Sequence, residues 1–227
     1  MDNGKEVMME IEIYEVVKPY TMTSFDRVAC LVQAVQHIVS AKIDGDFVEC
    51  GVWKGGSMMA AALTLKALNS MNRRLYLYDT FDGMSAPTAV DVSHDNRPAV
   101  QCLAENPKDE NNHFWAYSPI ESVRSNMCAT GYPEQLMFFV KGKVEDTIPA
   151  TLPDKIAMLR LDTDWYESTR HELKHLYPRL VPGGVLIIDD YGFWKGARKA
   201  VDEFLETLQP QPILRTIDET GRFLFKN

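Results

Sequence analysis

Short apolar runs alternate along the chain with longer segments whose apolar residues recur at helical spacing. The runs predict buried strands of a parallel sheet at residues 46–50, 75–78, 136–140, 156–161 and 185–188. The helical spacing predicts helices at about 25–39, 58–68, 120–130 and 196–208, with another beginning near residue 168. Ser24 is placed to cap the first of these helices. This alternation predicts an α/β fold with helices on both faces of the sheet.

The ends of the chain and its middle depart from this alternation. Residues 212–217 and 222–225 flank a turn, which predicts an antiparallel hairpin closing an otherwise parallel sheet. Residues 25–227 are expected to form one domain, preceded by an acidic, Met-rich segment 1–24 that serves as a lid or a partner contact. The polar stretch at about 82–119 is predicted to be a lid or substrate-binding insertion, with a mobile insertion as the alternative.

Charge and cysteine content narrow the class of partner. The 227 residues include 24 Lys and Arg against 32 Asp and Glu, a formal charge of -8, which argues against a nucleic-acid or anionic-membrane surface. A small molecule is the expected partner. The scattered cysteines form no metal-binding or disulfide pattern, and with no signal-peptide or membrane-spanning run the protein is expected to be cytoplasmic.

Four aspartates follow two of the predicted strands. Asp162 and Asp164 come after the run at 156–161, and Asp189 and Asp190 close the run at 185–188. Ligands of parallel sheets bind at the carboxyl ends of the strands, and clustered carboxylates require a cation or a shared proton. Asp162, Asp189 and Asp190 suit a hard divalent ion, with Mg²⁺ expected and zinc left open. Asp164 would remain free to accept a proton, although either Asp162 or Asp164 alone could merely cap the next helix.

A glycine turn follows the first predicted strand. It places one glycine, Gly51, where a dinucleotide fingerprint has two, and Glu49 beside it would repel a pyrophosphate. Glu49 suits a cationic group, which favours a nucleoside carrying an amino acid and a sulfonium. Asp79, at the end of the second strand, is expected to accept the ribose hydroxyls, while Gly142 and Lys143 would lie beside the adenine. The alternative is a turn that only joins a strand to a helix.

A His-Glu-x-x-His sequence, typical of zinc hydrolases, runs from His171 to His175. Leu173 and Leu176 predict the buried face of this helix, so both histidines are expected to point outward. No third ligand follows, and the solvated-helix interpretation is favoured.

Six segments carry a family resemblance: residues 20–22, 47–57, 79–83, 145–147, 161–169 and 182–191. In this order they resemble the macrocin O-methyltransferase family, whose members use S-adenosylmethionine and a divalent metal to methylate sugar hydroxyls of antibiotics and related glycosides. The resemblance implies the Rossmann-like class I methyltransferase fold, with a mostly parallel seven-stranded sheet that ends in the antiparallel hairpin.

The resemblance also assigns expected roles to residues. The S-adenosylmethionine-binding set comprises Glu49, Gly51, Val52, Trp53, Ser57, Asp79, Thr80, Phe81, Gly142, Lys143, Val144 and Asp162. The expected metal ligands are Asp162, Asp189 and Asp190, with Asp164 as the catalytic base. Trp165, Tyr166 and Tyr191 are expected to contact the acceptor.

The expected activity is therefore S-adenosylmethionine-dependent and metal-dependent O-methylation of a sugar hydroxyl. A catechol-like or other vicinal-oxygen acceptor remains an alternative, as do an NAD-dependent oxidoreductase and a non-enzymatic binding module. The Met-rich N-terminal segment is a candidate contact surface for a homo-oligomer.

Overall fold

A computed structural model describes residues 3–110 and 112–227 of the chain. Its strands are β1 (Asp46–Cys50), β2 (Leu75–Asp79), β3 (Met137–Lys141), β4 (Ile156–Leu161), β5 (Leu180–Ile188), β6 (Arg215–Thr216) and β7 (Arg222–Phe225). Its α-helices are α1 (Asn3–Val17), α2 (Phe25–Ser40), α3 (Gly56–Ala67), α4 (Ala99–Ala104), α5 (Ile120–Ala129), α6 (Val144–Thr147), α7 (Tyr166–Leu176) and α8 (Lys195–Glu206).

The strands form one seven-stranded sheet in the order β3-β2-β1-β4-β5-β7-β6. The first five in that order are parallel, and β7 runs antiparallel to both β5 and β6. This confirms the predicted α/β fold with its closing hairpin. The chain builds outward from β1 to β3 and then returns to place β4 on the other side of β1. Ligand sites of such sheets form at this reversal, beyond the carboxyl ends of the strands.

Helices bury both faces of the sheet, and successive strand residues point to opposite faces. Phe47 and Leu77 pack on the face covered by α2 and α3, whereas Val48 and Tyr78 pack on the face covered by α7 and α8. All four side chains are fully buried. Burying a large apolar side chain stabilises the fold by roughly 1.5–3 kcal/mol, so the two apolar layers hold the strand ends in place.

Most predicted elements agree with the structure to within a few residues, and Ser24 caps α2 by accepting a hydrogen bond from the Arg27 N–H at 3.2 Å. The fifth strand is longer than expected. It begins at Leu180, and Gly183 and Gly184 within it exchange backbone hydrogen bonds with Lys226 beyond β7. The short helices α4 and α6 were not predicted.

Helix α1 belongs to the folded domain, packing on α2 and α3. Ile13 and Val17 are buried in the core, and Gln33 donates a hydrogen bond to Glu10 at 2.9 Å. The four cysteines are free thiols. Within the described residues, no helix has both the length and the apolar character to cross a membrane.

Candidate active site

A cavity of about 370 Å³ opens beyond the carboxyl ends of the central strands. The structure brings to its wall nearly all the residues predicted from the sequence: Glu49, Gly51, Val52, Trp53, Ser57, Asp79, Thr80, Gly142, Lys143, Val144, Asp162, Asp164, Asp189 and Asp190. They fall into two groups. The β1–β2 wall carries Glu49 and Asp79, and the β4–β5 wall carries the other four acids.

Backbone N–H groups fix Asp79 on the β1–β2 wall. Its Oδ2 accepts hydrogen bonds from Val52 at 2.6 Å and Trp53 at 3.1 Å, and its Oδ1 accepts one from Phe81 at 2.7 Å. Burial raises the pKa of Asp79, and these three N–H donors act in the opposite direction. The Asp79 carboxylate therefore joins the turn after β1 to the turn after β2. Its remaining acceptor capacity lies at Oδ1, where Thr80 Oγ1 stands 3.4 Å away.

Glu49 lies opposite a buried arginine. The β1–β4 register pairs Glu49 with Arg160, and Arg160 Nη1 donates to Glu49 Oε1 at 2.7 Å. Glu49 Oε2 is buried without a hydrogen-bond partner, although the residue lines the cavity. Burial raises the pKa of Glu49 to about 7, with Arg160 opposing the shift and the charges of Asp189 and Asp79 adding to it. An unpaired buried carboxylate oxygen facing a cavity suits a cationic or hydrogen-bond-donating ligand.

The two walls touch through their backbones. Gly51 has a φ of +81°, and a Cβ added there would lie 1.9 Å from the Asp162 carbonyl oxygen. The Asp162 N–H also donates to the Cys50 carbonyl at 2.8 Å. A glycine is therefore required at position 51 by both conformation and space.

Three acids of the β4–β5 wall form a cluster suited to a metal ion. Asp162, Asp164 and Asp190 can each offer an oxygen such that the three atoms lie within 4.8 Å of one another. The Asp162 side chain is 27% exposed, so the cluster can be reached from the cavity. Asp164, with a φ of 68°, turns its side chain back toward Asp190, to which it is hydrogen-bonded. Three carboxylates at this spacing are hard ligands suited to Mg²⁺ or Mn²⁺.

Burial and mutual repulsion raise the proton affinity of this cluster. Burial raises the pKa of Asp164 to about 7, and the charges of Asp162 and Asp189 contribute to that shift. Burial likewise holds the pKa of Asp162 and of Asp190 well above the ordinary range, with Arg160 working against it in both cases. The cluster thus retains protons that a cation would replace.

Asp189, a predicted metal ligand, pairs with two arginines in the structure. Its Oδ1 accepts from Arg160 Nη2 at 2.5 Å, and its Oδ2 pairs with Arg27 Nη1. Adjacent strand residues face opposite ways, and Asp189 points to the face where Arg160 lies. In the structure the acid cluster contains Asp164 where the sequence interpretation placed Asp189.

Arg160 and Arg27 are functional candidates that the sequence interpretation missed. Arg160 is 3% exposed and bonds Glu49, Asp162 and Asp189 at once. Its position two residues before Asp162 puts both side chains on one face of β4, a signal that was available in the sequence. Arg27 gave no such signal, because it reaches Asp189 from α2, far away in the chain.

The predicted acceptor contacts are not among the residues that line the cavity. Trp165 packs against Trp194 inside an apolar cluster, and its Nε1 donates to the Ser85 carbonyl. The hydroxyls of Tyr166 and Tyr191 donate instead to Glu203 and Asp202 of α8. Phe81, expected to bind the cofactor, has its ring buried in the core and contributes only its N–H to Asp79.

Other segments supply the outer part of the cavity. The N-terminal segment contributes residues 20–23, the 82–119 insertion contributes Met84, Ser85, His113 and Phe114, and the loop after β5 contributes Phe193 and Trp194. Residues 20–22 carried a sequence signal through the family resemblance, and Trp194 and His113 were candidates as an aromatic residue and as a histidine of the predicted lid. The insertion residues followed no recognisable pattern.

The His-Glu-x-x-His sequence does not form a metal site. Glu172 is buried and accepts a hydrogen bond from Thr163 Oγ1 at 2.9 Å, while the half-exposed His171 bonds the Ile148 carbonyl. Among the residues described, the clusters capable of holding a metal ion include neither histidine. Leu173 and Leu176 are buried as predicted, but Glu172 is buried as well, so the helix is less solvated than the sequence interpretation held.

Comparisons with characterised proteins place the chain in a family. The macrocin O-methyltransferase (TylF) family profile matches residues 16–226. The 8-demethyl-8-(2,3-dimethoxy-alpha-L-rhamnosyl)-tetracenomycin-C 4'-O-methyltransferase of Streptomyces olivaceus is 34% identical over 90% of this chain and 74% of its own length. The demethyldecarbamoylnovobiocin O-methyltransferase of Streptomyces niveus is 32% identical over 89% of this chain and 74% of its own length.

Solved structures agree. The O-methyltransferase NovP superposes with a TM-score of 0.78 at 31% identity, covering 92% of this chain and 82% of NovP. The calicheamicin methyltransferase CalS11, at 18% identity and a TM-score of 0.63, covers 99% of this chain and 94% of its own and shares the fold. The chain belongs to the macrocin O-methyltransferase family and is an O-methyltransferase.

Proposed function

We propose that this enzyme transfers a methyl group from S-adenosylmethionine to a sugar hydroxyl, with the help of a divalent metal ion. The observation that carries the proposal is that one cavity holds both the unpartnered buried oxygen of Glu49 and the cluster of Asp162, Asp164 and Asp190. The first suits a cationic amino acid and sulfonium, and the second suits a hard cation beside the reacting oxygen.

The β1–β2 wall fits S-adenosylmethionine. Glu49 Oε2 offers a buried acceptor to the ammonium group, and Asp79 Oδ1 retains capacity for a ribose hydroxyl. Trp53 Nε1 is a buried donor without a partner on the same wall. Gly142 and Lys143 line the cavity next to Asp79, beside which the adenine would lie.

The β4–β5 wall fits a divalent metal ion. Asp162, Asp164 and Asp190 would hold it, because each offers a carboxylate oxygen to the same point beside the cavity. A divalent ion bound there would polarise the acceptor hydroxyl and lower its pKa. Mg²⁺ is the proposed ion, because all three ligands are carboxylates.

Asp164 has two carboxylate oxygens, so it could both hold the ion and accept the hydroxyl proton as the oxygen attacks the methyl carbon and the sulfonium leaves as a neutral thioether. Burial raises the pKa of Asp164, which favours proton uptake by this carboxylate. General bases contribute about 10²–10⁴-fold to rate. Arg160 and Arg27 pair with Asp189, whereas Asp164 is hydrogen-bonded to Asp190.

The proposed acceptor is a sugar on a larger, mostly apolar molecule. Phe114, Phe193 and Met84 line the outer cavity and offer surfaces on which a sugar ring and its aglycone could pack. The Streptomyces olivaceus relative is named for a rhamnosyl-bearing substrate, which supports the sugar assignment. A catechol-like acceptor is the alternative, and an acceptor screen read by mass shift separates the two.

Binding measurements test the two walls without knowledge of the acceptor. Calorimetry is expected to detect S-adenosylhomocysteine binding by the wild-type enzyme, weakened about 10- to 100-fold in Glu49→Gln because a charge-assisted hydrogen bond is lost. Mn²⁺ titration followed by electron paramagnetic resonance is expected to detect a site that Asp162→Asn removes.

The exposed Asp146, on α6, provides the control, and Asp146→Asn is expected to bind both ligands like the wild type. Binding of NAD in place of S-adenosylhomocysteine would contradict the cofactor assignment. Full turnover in excess chelator would contradict the metal role.

A further inference from the structure

Asp91 is a buried carboxylate of the insertion that the proposed mechanism does not use. Its side chain is 1% exposed. Oδ1 accepts a hydrogen bond from the Tyr166 N–H at 2.7 Å. Oδ2 accepts from the N–H and hydroxyl of Thr88 at 2.6 and 2.8 Å. One carboxylate therefore ties the insertion to the start of α7.

This contact supplies a cap that α7 lacks locally. Trp165 occupies the N-cap position and gives no side-chain hydrogen bond to the helix, so Asp91 satisfies a free N–H of the first turn from a distant part of the chain. The Trp165 indole also donates to the Ser85 carbonyl at 3.0 Å. Both residues that follow Asp164 are thus held by the insertion.

Asp164 depends on such restraint. Its φ of 68° is uncommon for a residue other than glycine, and such conformations persist where surrounding contacts enforce them. The backbone immediately after Asp164 is therefore where an external hydrogen bond has most influence on the direction of its side chain.

The same segment of the insertion also contacts the start of α8. The Lys195 N–H donates to the Val92 carbonyl at 2.8 Å, and a Cβ on Gly196 would lie 2.1 Å from Asp91 Oδ1. The Trp194 N–H in turn donates to the Asp190 carbonyl at 3.0 Å. Asp91 thus sits between the two loops that carry Asp164 and Asp190, with Gly196 leaving room for it.

We propose that Asp91 is a positioning residue that fixes Asp164 relative to Asp162 and Asp190. The insertion then does more than cover the acceptor: it sets the spacing of the acid cluster. This inference rests on the proposed metal role of that cluster.

Mn²⁺ affinity measured by electron paramagnetic resonance tests the inference without an acceptor. Asp91→Ala is expected to weaken Mn²⁺ binding about 10- to 100-fold, as loss of outer-shell support does at other metal sites. Asp91→Asn keeps an oxygen for the Tyr166 N–H while losing acceptance from Thr88, so it is expected to restore most of the affinity. S-adenosylhomocysteine affinity should stay unchanged in both variants, because Glu49 and Asp79 lie on the other wall.

Gly196→Ala provides a second route to the same displacement. Alanine favours helix over glycine, so a weakening of Mn²⁺ binding would come from the added Cβ, whose nearest contact is Asp91 Oδ1 and which also approaches the Tyr166 N–H that Asp91 holds. Gly196→Ala therefore tests the positioning role of Asp91 even if Asp91→Ala does not fold. Asp95→Asn, an exposed carboxylate on the same insertion, is the control and should bind Mn²⁺ like the wild type.

Hydrogen exchange separates failure of this inference from failure of the proposed function. The Tyr166 amide should exchange faster in Asp91→Ala than in the wild type, whether or not a metal binds. A wild type that binds no Mn²⁺ overturns the metal role itself. Unchanged Mn²⁺ affinity in folded Asp91→Ala, or in Gly196→Ala, overturns the positioning role while leaving the metal site standing.

Discussion

The two walls of the cavity hold their carboxylates in different ways. On the β1–β2 wall, Asp79 is fixed by three backbone N–H groups, which do not depend on the charge of any other side chain. On the β4–β5 wall, the acids are balanced by Arg160 and Arg27 and by retained protons. On the first wall Asp79 is preorganised by the main chain, whereas Glu49 shares Arg160 with the second wall. The second wall depends on a charge balance. The arrangement of its acids should therefore change strongly when a cation binds or when one charged group is lost.

The largest predicted effect is on turnover at the β4–β5 wall. Asp164→Asn keeps the size of the side chain but removes its capacity to take a proton, so kcat should fall about 10²- to 10⁴-fold. Steady-state kinetics with any acceptor that the wild type methylates provides the measurement. S-adenosylhomocysteine affinity should not change, because the β1–β2 wall remains intact.

The same variant distinguishes the two roles open to Asp164. Retained Mn²⁺ affinity together with a slow chemical step would identify a base, whereas lost Mn²⁺ affinity would identify a ligand. An unchanged kcat would contradict both roles, and Asp146→Asn serves as the control.

Arg160→Met should cause the largest loss of stability, because it leaves three buried or partly buried acids without their shared cation. Removing one partner of a buried ion pair costs about 3–5 kcal/mol of unfolding free energy. Urea denaturation of Arg160→Met and the wild type would measure this loss. The stability of Arg160→Lys should lie between those of the wild type and Arg160→Met. Lysine keeps the positive charge, but an ammonium group cannot reproduce the forked contacts to Glu49, Asp162 and Asp189. If Arg160→Met had the same unfolding free energy as the wild type, the negative charges of the three acids would be neutralised by bound protons alone and not by Arg160.

Glu172, behind the β4–β5 wall, should make stability depend on pH. Burial raises its pKa well above the ordinary value of 4.5, and its Oε2 has no partner. The folded protein therefore holds this proton more tightly than the unfolded chain does. The resulting stability is present below 4.5 and is lost as pH rises toward the folded-state pKa.

Glu172→Gln mimics the protonated form and should escape this loss. The unfolding free energy of the variant minus that of the wild type should increase from pH 5 to pH 8. Denaturant titrations of both proteins at pH 5 and at pH 8 measure this difference. A difference between the two proteins that does not vary with pH would mean that Glu172 is not titrating in this range.

The smallest predicted effect concerns Tyr166, which the sequence suggested as an acceptor contact. Its hydroxyl donates to Glu203 at 2.7 Å on the surface of α7 and α8. Tyr166→Phe should leave the acceptor KM unchanged and alter stability by less than about 0.5 kcal/mol. A raised KM would place the acceptor over α7 rather than in the cavity.

Sequence patterns predicted the parts of the site that lie at strand ends. Glu49, Asp79 and Asp162 follow apolar runs directly, and a parallel sheet brings the ends of such runs to one edge regardless of loop structure. The family resemblance then indicated whether each position would bind the cofactor or the metal ion. The fold and most of the cavity wall were therefore predictable from short local signals.

Contacts between distant segments were not predictable in the same way. Arg27 reaches Asp189 from α2, and Asp91 reaches Tyr166 from the insertion, so neither pair leaves a local spacing to recognise. Trp165 and Tyr166 were assigned to the acceptor as aromatic residues of a segment that carries the family resemblance. The start of α7 instead turns one into an apolar cluster and the other outward to Glu203.

The contact between Gly51 and the Asp162 carbonyl has a consequence for how the enzyme can diversify. Because the two walls meet through main-chain atoms, the gap between the turn after β1 and the Asp162 backbone does not depend on the side chains that line the cavity. Substitutions around the outer cavity can thus alter which acceptor enters without changing the reach of the transfer. Any residue other than glycine at position 51 would widen that gap and affect all acceptors alike.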